Sequence, residues 1–207
     1  MRIPLNKIQS RITTASQVKH NTTSHLAPRV PRNFTPPKIE TEDEGIQAFH
    51  KYDWYFNWMQ RYMNRVNDVY LTPCAATKPI HSSTFHRKIF QKFFAEYGGD
   101  SELLIVSEPV VLIRYQDLYN HEKVFCYEFL PKNLGQEARE LFVKRLRTLL
   151  AGKSITGCLP RHHEFLVNDA IGDNWGNHWN GNMFQMIKRA SSFQSVFNIG
   201  KTNKRIG

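Results

Sequence analysis

The chain has 207 residues, 41% of them hydrophobic and 13% aromatic, with 28 Lys and Arg against 18 Asp and Glu for a formal net charge of +10. That composition supports one globular core of ordinary size and sets aside the disordered and fibrous classes. Three widely spaced cysteines without a CxxC pair argue against a disulfide framework and for a reducing, cytoplasmic setting; no apolar run nears the ~20 residues of a membrane span, and the N-terminus lacks a secretory apolar stretch.

The charge is uneven. Residues 1–40 hold seven basic residues and one acid, residues 188–207 hold five basic residues and no acid, and residues 41–187 hold 16 basic and 17 acidic. The expected organisation is a basic, disordered arm over 1–40, a single near-neutral core domain over 41–187, and a basic tail over 188–207. Such tails hold phosphate backbones or serve solubility alone. The arm contains Pro4, Pro28, Pro31, Pro36 and Pro37 and no sustained periodicity, so no core-forming element is expected before Thr41.

Thr41 followed by Glu42, Asp43 and Glu44 reads as a capped helix start. Ile46, Phe49, Tyr52, Phe56, Met59, Met63 and Val66 then fall at three- and four-residue spacing, which predicts one helix over 45–66. Trp54 and Trp58 lie one turn apart on an adjoining face, with core packing the expected role and base stacking the alternative. Residues 69–72 form a short apolar, β-branched run that predicts a buried strand, stopped by Pro73. A polar loop follows, and Ser83 or Thr84 is placed to cap a helix running through Phe85, Ile89, Phe90, Phe93 and Phe94. Residues 103–107 read as a second strand broken by Glu108 and Pro109, with 110–114 continuing as extended chain. Residues 116–122 are turn-like, and 124–129 read as a third strand with Glu128 near its carboxyl end. The amphipathic stretch 136–151 is the clearest helix, 154–158 a fourth strand, 162–170 a helix, and 183–188 a last helix. Strands alternating with helices predict an α/β three-layer sandwich with a mostly parallel central sheet. In such sheets ligands bind outside the carboxyl ends of the strands.

One of those ends carries a pattern. Pro73, Cys74, Lys78, Pro79, Ser83 and His86 resemble the core domain of archaeosine synthase, whose motif P-C-x-x-x-K-P-Y-x-x-S-x-x-H they match at six of seven fixed positions, Ile80 standing where the family has Tyr. The resemblance spans roughly residues 66–175 and takes in 104–113 and then Tyr127, Glu128 and Phe129 in the expected order. It implies a uracil-DNA-glycosylase-like fold and a transferase of 7-deazaguanine modification. That family adds an amine, lysine in archaea, to the nitrile of 7-cyano-7-deazaguanine in transfer RNA, and a radical-SAM partner protein completes the conversion to archaeosine in some systems. Residues 1–65 and 176–207 leave no room for the family's transglycosylase-like and RNA-binding domains. A stand-alone core is therefore expected, acting on a base in tRNA or DNA, in the cytoplasm or, for a viral protein, the host cytoplasm.

The residues themselves support distinct roles. A thiol at a strand end facing a helix N-terminus and Lys78 suits a nucleophile, so Cys74, Lys78 and His86 are the catalytic candidates. His86 lies one turn from Ser83, at a helix N-terminus that favours the neutral ring; His81 ranks below it. Pro73, Ser83, Ser107, Glu108 and Glu128 are the substrate-binding candidates, a carboxylate such as Glu108 being suited to accept from the donor edge of a guanine-like base. His162, His163 and Glu164 are further candidates at the same sheet edge, but no third ligand has metal-site spacing, so no metal is assigned. Cys126 and Cys158 read as core. No P-loop, dinucleotide fingerprint or iron–sulfur pattern occurs, and no cofactor is expected. Two other functions stay open: a base- or nucleic-acid-binding module without chemistry, and a glycosylase-like nucleobase enzyme.

Overall fold

The computed structural model describes residues 27–75, 80, 83, 86, 102–129 and 135–177, without the side chains of Tyr119, Glu128 and Phe129. In chain order these residues form β1 (Lys38–Ile39), α1 (Glu42–Lys51), α2 (Asp53–Met63), β2 (Asp68–Pro73), β3 (Glu102–Ser107), β4 (Val111–Arg114), α3 (Tyr115–Asn120), a 3₁₀ turn (Glu122–Phe125), β5 (Glu128–Phe129), α4 (Gln136–Leu150), β6 (Ser154–Gly157), α5 (Arg161–Ile171) and β7 (Gly176–Asn177). Five strands make the central sheet in the order β4-β3-β2-β6-β7. All its pairings are parallel except β3 with β4. The fold is α/β, with helices flanking a mostly parallel sheet. β2 and β3 are buried along nearly their whole length, as expected of apolar strands covered on both faces.

The expected helix over 45–66 is two helices. α1 starts with the predicted capping box, Thr41 Oγ1 accepting from the Glu44 amide while the Glu44 carboxylate accepts from the Thr41 amide. It stops at Tyr52, whose backbone leaves helical geometry at φ −98° and ψ 11°. The break lets the Tyr52 hydroxyl donate to the Val124 carbonyl at 2.7 Å. The helical periodicity continues across the break, so the pattern alone does not show it. Trp54 and Trp58 pack against the core, Trp58 stacked between Tyr55 and Tyr62.

The break at Glu108 and Pro109 and the extended chain after it are both present: residues 108–110 turn the chain, and 111–114 come back as β4, antiparallel to β3. Two further expectations are corrected. Residues 116–122 form most of α3 and the start of the 3₁₀ turn, with Leu118 and Asp117 buried. The apolar run at 124–129 is not a strand of the central sheet. Val124 and Phe125 close the 3₁₀ turn, and β5 pairs parallel with β1 in a separate two-stranded sheet, Lys38 opposite Glu128 and Ile39 opposite Phe129. A short apolar run does not distinguish these outcomes by hydropathy.

That second sheet also moves the domain boundary. Ile39 is 2% exposed, and the Phe34 ring lies 5.2 Å from Tyr52 and 5.6 Å from Trp54. The body of the fold therefore begins upstream of Thr41. The helices expected over 84–97 and 183–188 lie outside the described residues, apart from His86. Among the described residues no helix is long and apolar enough to cross a membrane.

Candidate active site

The sheet order fixes where a site forms. The chain leaving β2 returns to β3 on one side, and the chain leaving β6 returns to β7 on the other. The crevice at such a switch, outside the carboxyl ends of the strands, is where open α/β sheets bind ligands. Cys74 follows β2 directly, its amide donating to the Val106 carbonyl at 3.0 Å. Glu108 follows β3 directly. His163 lies in the first turn of α5, after Cys158, Leu159 and Pro160 lead away from β6.

These three side chains converge. A ligand atom from each of Cys74, Glu108 and His163 lies within 4.8 Å of the other two. His163 Nε2 is 3.3 Å from Glu108 Oε1 and 3.4 Å from Oε2. Glu108 and His163 are 8% and 1% exposed, and Cys74 is partly exposed, so the thiol sits on the open side. His163 Nδ1 is buried and has no hydrogen-bond partner among the described residues.

Burial and pairing compete at each group. Burial pulls the His163 imidazole down, but hydrogen bonding to Cys74 and Glu108, with the charge of both, pushes its pKa up to about 9. Burial opposes the charged form of Glu108, yet the hydrogen bond and charge of His163 hold its carboxyl below the usual range. The pKa of His162, whose ring centroid is 4.1 Å from that of His163, is lowered by partial desolvation of its ring and then by the His163 charge.

Behind the thiol, the buried Tyr127 hydroxyl and Ser107 Oγ share a hydrogen bond. Burial, then the charge of Cys74, pushes the Tyr127 phenol well above its ordinary value, so it stays neutral beside the thiol.

Of the predicted site residues, Cys74 and Glu108 are brought together. Pro73 is buried as the last residue of β2, opposite Val106. Ser107 is fully buried on Tyr127 and is not displayed to the crevice. Ser83 is partly exposed, and His86 is fully buried. Lys78 and His81 lie outside the described residues. Glu128 does not end a strand of the main sheet; it belongs to β5 in the two-stranded sheet. Where the motif has Tyr, Ile80 is packed into the core at 1% exposure. Cys158 is buried, but Cys126 is a partly exposed loop residue whose Sγ donates to the Glu122 carbonyl. The sequence undervalued His163, whose partner Glu108 is 55 residues away, and marks Tyr127 only as part of the resemblance, with no role at the site.

No family model and no curated protein matches the chain. Among solved structures it is similar to one described as the crystal structure of AF0587, a protein of unknown function, at 16% identity and a TM-score of 0.43. The match covers 66% of this chain and 48% of that one, so the chain spans about half the length of the structure it matches.

Proposed function

We propose that this chain is an archaeosine-synthase-like transferase that adds an amine, lysine or similar, to the nitrile of 7-cyano-7-deazaguanine carried in nucleic acid. The observation that supports it is the meeting of Cys74, the cysteine of the matched motif, with His163 and Glu108 at the switch point of the sheet. Nitrile addition needs a nucleophile, a proton for the nitrogen that gains charge, and a group that holds the proton donor. In the reading advanced here, Cys74 Sγ as thiolate bonds to the nitrile carbon. The displaced π pair moves to nitrogen, which takes the proton of His163, and a thioimidate results. The neutral amine then adds to the same carbon, the carbon–sulfur bond breaks, and the thiolate leaves. The surplus proton on the amidine returns to His163.

Glu108 then takes a different task from the base-binding role expected of it. The nitrile is on the five-membered ring of the base, and the Watson–Crick donors are on the far side of the six-membered ring. A carboxylate within 4.8 Å of the thiol does not reach those donors while sulfur attacks the nitrile. Glu108 is therefore assigned to His163, whose charge it holds, and Lys78 keeps the assisting role that the motif implies. A uracil-DNA-glycosylase-like architecture, a tRNA or DNA carrier, a radical-SAM partner and a cytoplasmic location belong to the same proposal.

The test incubates the protein with 7-cyano-7-deazaguanine, free and then in RNA and in DNA, with lysine and other amines, and follows adduct and product by mass spectrometry. A protein–nitrile adduct lost in Cys74→Ala supports covalent catalysis. Product that survives Cys74→Ala removes the nucleophile role. Absence of product with every carrier, from folded protein, overturns the transferase reading in favour of a base-binding module.

A further inference from the structure

We infer that Cys74, Glu108 and His163 form a Zn²⁺ site with three protein ligands and one open coordination position. The donor set is one thiolate, one imidazole and one carboxylate, the three side-chain types zinc takes. The thiolate selects against hard cations such as Mg²⁺ and Ca²⁺, which take oxygen ligands. Spacing agrees with the assignment. Tetrahedral zinc with bonds of about 2.0–2.3 Å sets its ligand atoms roughly 3.3–3.7 Å apart. The His163 Nε2 to Glu108 Oε1 separation is 3.3 Å, and the thiol completes the group within 4.8 Å, so a side-chain adjustment of about 1 Å closes the site.

The placement is a built one. Cys74 and Glu108 directly follow the neighbouring parallel strands β2 and β3, and His163 lies in the first turn of the helix that follows β6, the other neighbour of β2. The two innermost ligands, Glu108 and His163, are buried, and the partly exposed Cys74 marks the open side. Three protein ligands with a free fourth position is the arrangement of catalytic rather than structural zinc sites.

The inference stands on the geometry and does not require the nitrile chemistry. It bears on that chemistry, because zinc takes the sulfur lone pair that nucleophilic addition needs. The zinc form and the thioimidate reaction exclude each other, and zinc is then an inhibitor of the reaction proposed above.

The test uses the full chain, stripped of metal with a chelator. Zn²⁺ is titrated in competition with a chromophoric chelator, and Co²⁺ is titrated separately as a spectroscopic probe. Expected are one Zn²⁺ per chain, a sulfur-to-cobalt charge-transfer band in the near ultraviolet, and the strong visible bands of four-coordinate cobalt. Cys74→Ser, Glu108→Gln and His163→Gln should each weaken zinc at least ~10-fold and His162→Gln less than ~3-fold, on the scale by which even outer-shell changes alter metal sites. Zinc should raise the thermal midpoint of the wild type and not that of Cys74→Ser, since a ligand that binds only the folded state stabilises it. The cobalt spectrum of the wild type needs no variant, so a variant that fails to fold does not blunt the test. The inference is overturned by the absence of stoichiometric zinc, by a cobalt spectrum without the thiolate band, or by affinity that survives Cys74→Ser. Loss on His162→Gln with retention on His163→Gln overturns it as well, in favour of a surface histidine. Zinc binding with no amine-transfer activity sustains this inference while the transferase reading falls; activity without zinc binding does the reverse.

Discussion

Asp117→Ala should be among the most damaging single changes outside the crevice. Asp117 is fully buried, and its partner Arg114 has a side chain only 1% exposed. Arg114 donates to it from Nη2 at 2.7 Å and from Nε at 3.2 Å, and the Tyr55 hydroxyl donates to the same carboxylate at 2.8 Å. The guanidinium also lies 4.9 Å from the Trp58 ring centroid and 4.6 Å from that of Tyr62. Removing the carboxylate leaves a buried cation whose nearest described support is aromatic, and a buried hydroxyl without its acceptor. The first costs about 3–5 kcal/mol and the second adds about 1 kcal/mol. At roughly 2–4 °C per kcal/mol for a chain of this size, the thermal midpoint should fall by at least ~8 °C. Urea unfolding followed by circular dichroism and tryptophan fluorescence measures the loss, with an unchanged slope as the sign of a stability effect. Arg114→Met combined with Asp117→Ala should recover part of it, because deleting both charges removes the uncompensated one. A single-variant loss under ~1 kcal/mol, or a double variant no better than the single, would refute the reasoning.

Removing residues 1–40 should lower the thermal midpoint by more than ~5 °C, since burying Ile39 and part of Phe34 is worth a few kcal/mol; an unchanged midpoint would mean that β1 and the Phe34 contacts contribute nothing. In metal-free protein, stability should fall as pH rises from about 6.5 to about 9. The folded pKa of His163 is raised to about 9 above an unfolded value near ~6.5, so its contribution is complete below the lower value and lost through the upper one. His163→Gln should flatten that slope in urea midpoints taken across the range, and an already flat wild-type profile would contradict the pairing.

How much of this was legible in the chain follows from what each signal reports. β2 and β3 are apolar, partly β-branched runs of strand length closed by Pro73 and Pro109, and such runs announce themselves; β6 has only the β-branched pair Ile155 and Thr156, set off by Gly152 and Pro160. Cys74 and Glu108 could be placed because each directly follows such a run. The helix break at Tyr52 could not be read, since the side chains on both sides keep one periodicity while the partner of the Tyr52 hydroxyl, the Val124 carbonyl, is 72 residues away. The third strand was misplaced because Val124 and Phe125 are apolar for another reason: they close a 3₁₀ turn that meets Tyr52 and Tyr55. The pairing of β1 with β5 rests on two residues from each strand, and nothing in so short a segment marks a strand. His163 was visible as a residue but not as a partner. Metal-ligand spacing is a local signal, and here the ligands are assembled by strand order across the sheet.

That assembly yields a last prediction, which separates stability from site geometry. The register sets Pro73 opposite Val106 and Leu71 opposite Gly157, so the carboxyl ends of β3 and β2 lie together, β6 ends short of them, and the backbone ladder holds all three in place. Gly157 has the closest neighbours of the described glycines. A Cβ there would sit 2.7 Å from the Leu71 carbonyl oxygen and 2.9 Å from Leu71 Cβ, both parts of the adjacent strand and its buried side chain. Gly157→Ala must push β6 away from β2, at an overpacking cost of about 1–3 kcal/mol. His163 follows six residues later on a chain anchored by β6, so it should move with the strand while Cys74 and Glu108 stay. Gly176→Ala on β7 meets only a Thr156 methyl at 3.4 Å and should change little. Asp117 pairs with Arg114, whose register opposite Leu104 sets it toward the amino end of β3, away from the edge that carries the three ligands, so Asp117→Ala should cost more stability than Gly157→Ala yet leave the site intact wherever the protein is folded. Cobalt spectra recorded below each variant's melting transition distinguish the two: a normal thiolate band in Asp117→Ala and a weakened one in Gly157→Ala. The opposite pattern would mean that the Cys74–Glu108–His163 geometry is set by the packing of β4 and α3 rather than by the register of β2 with β6.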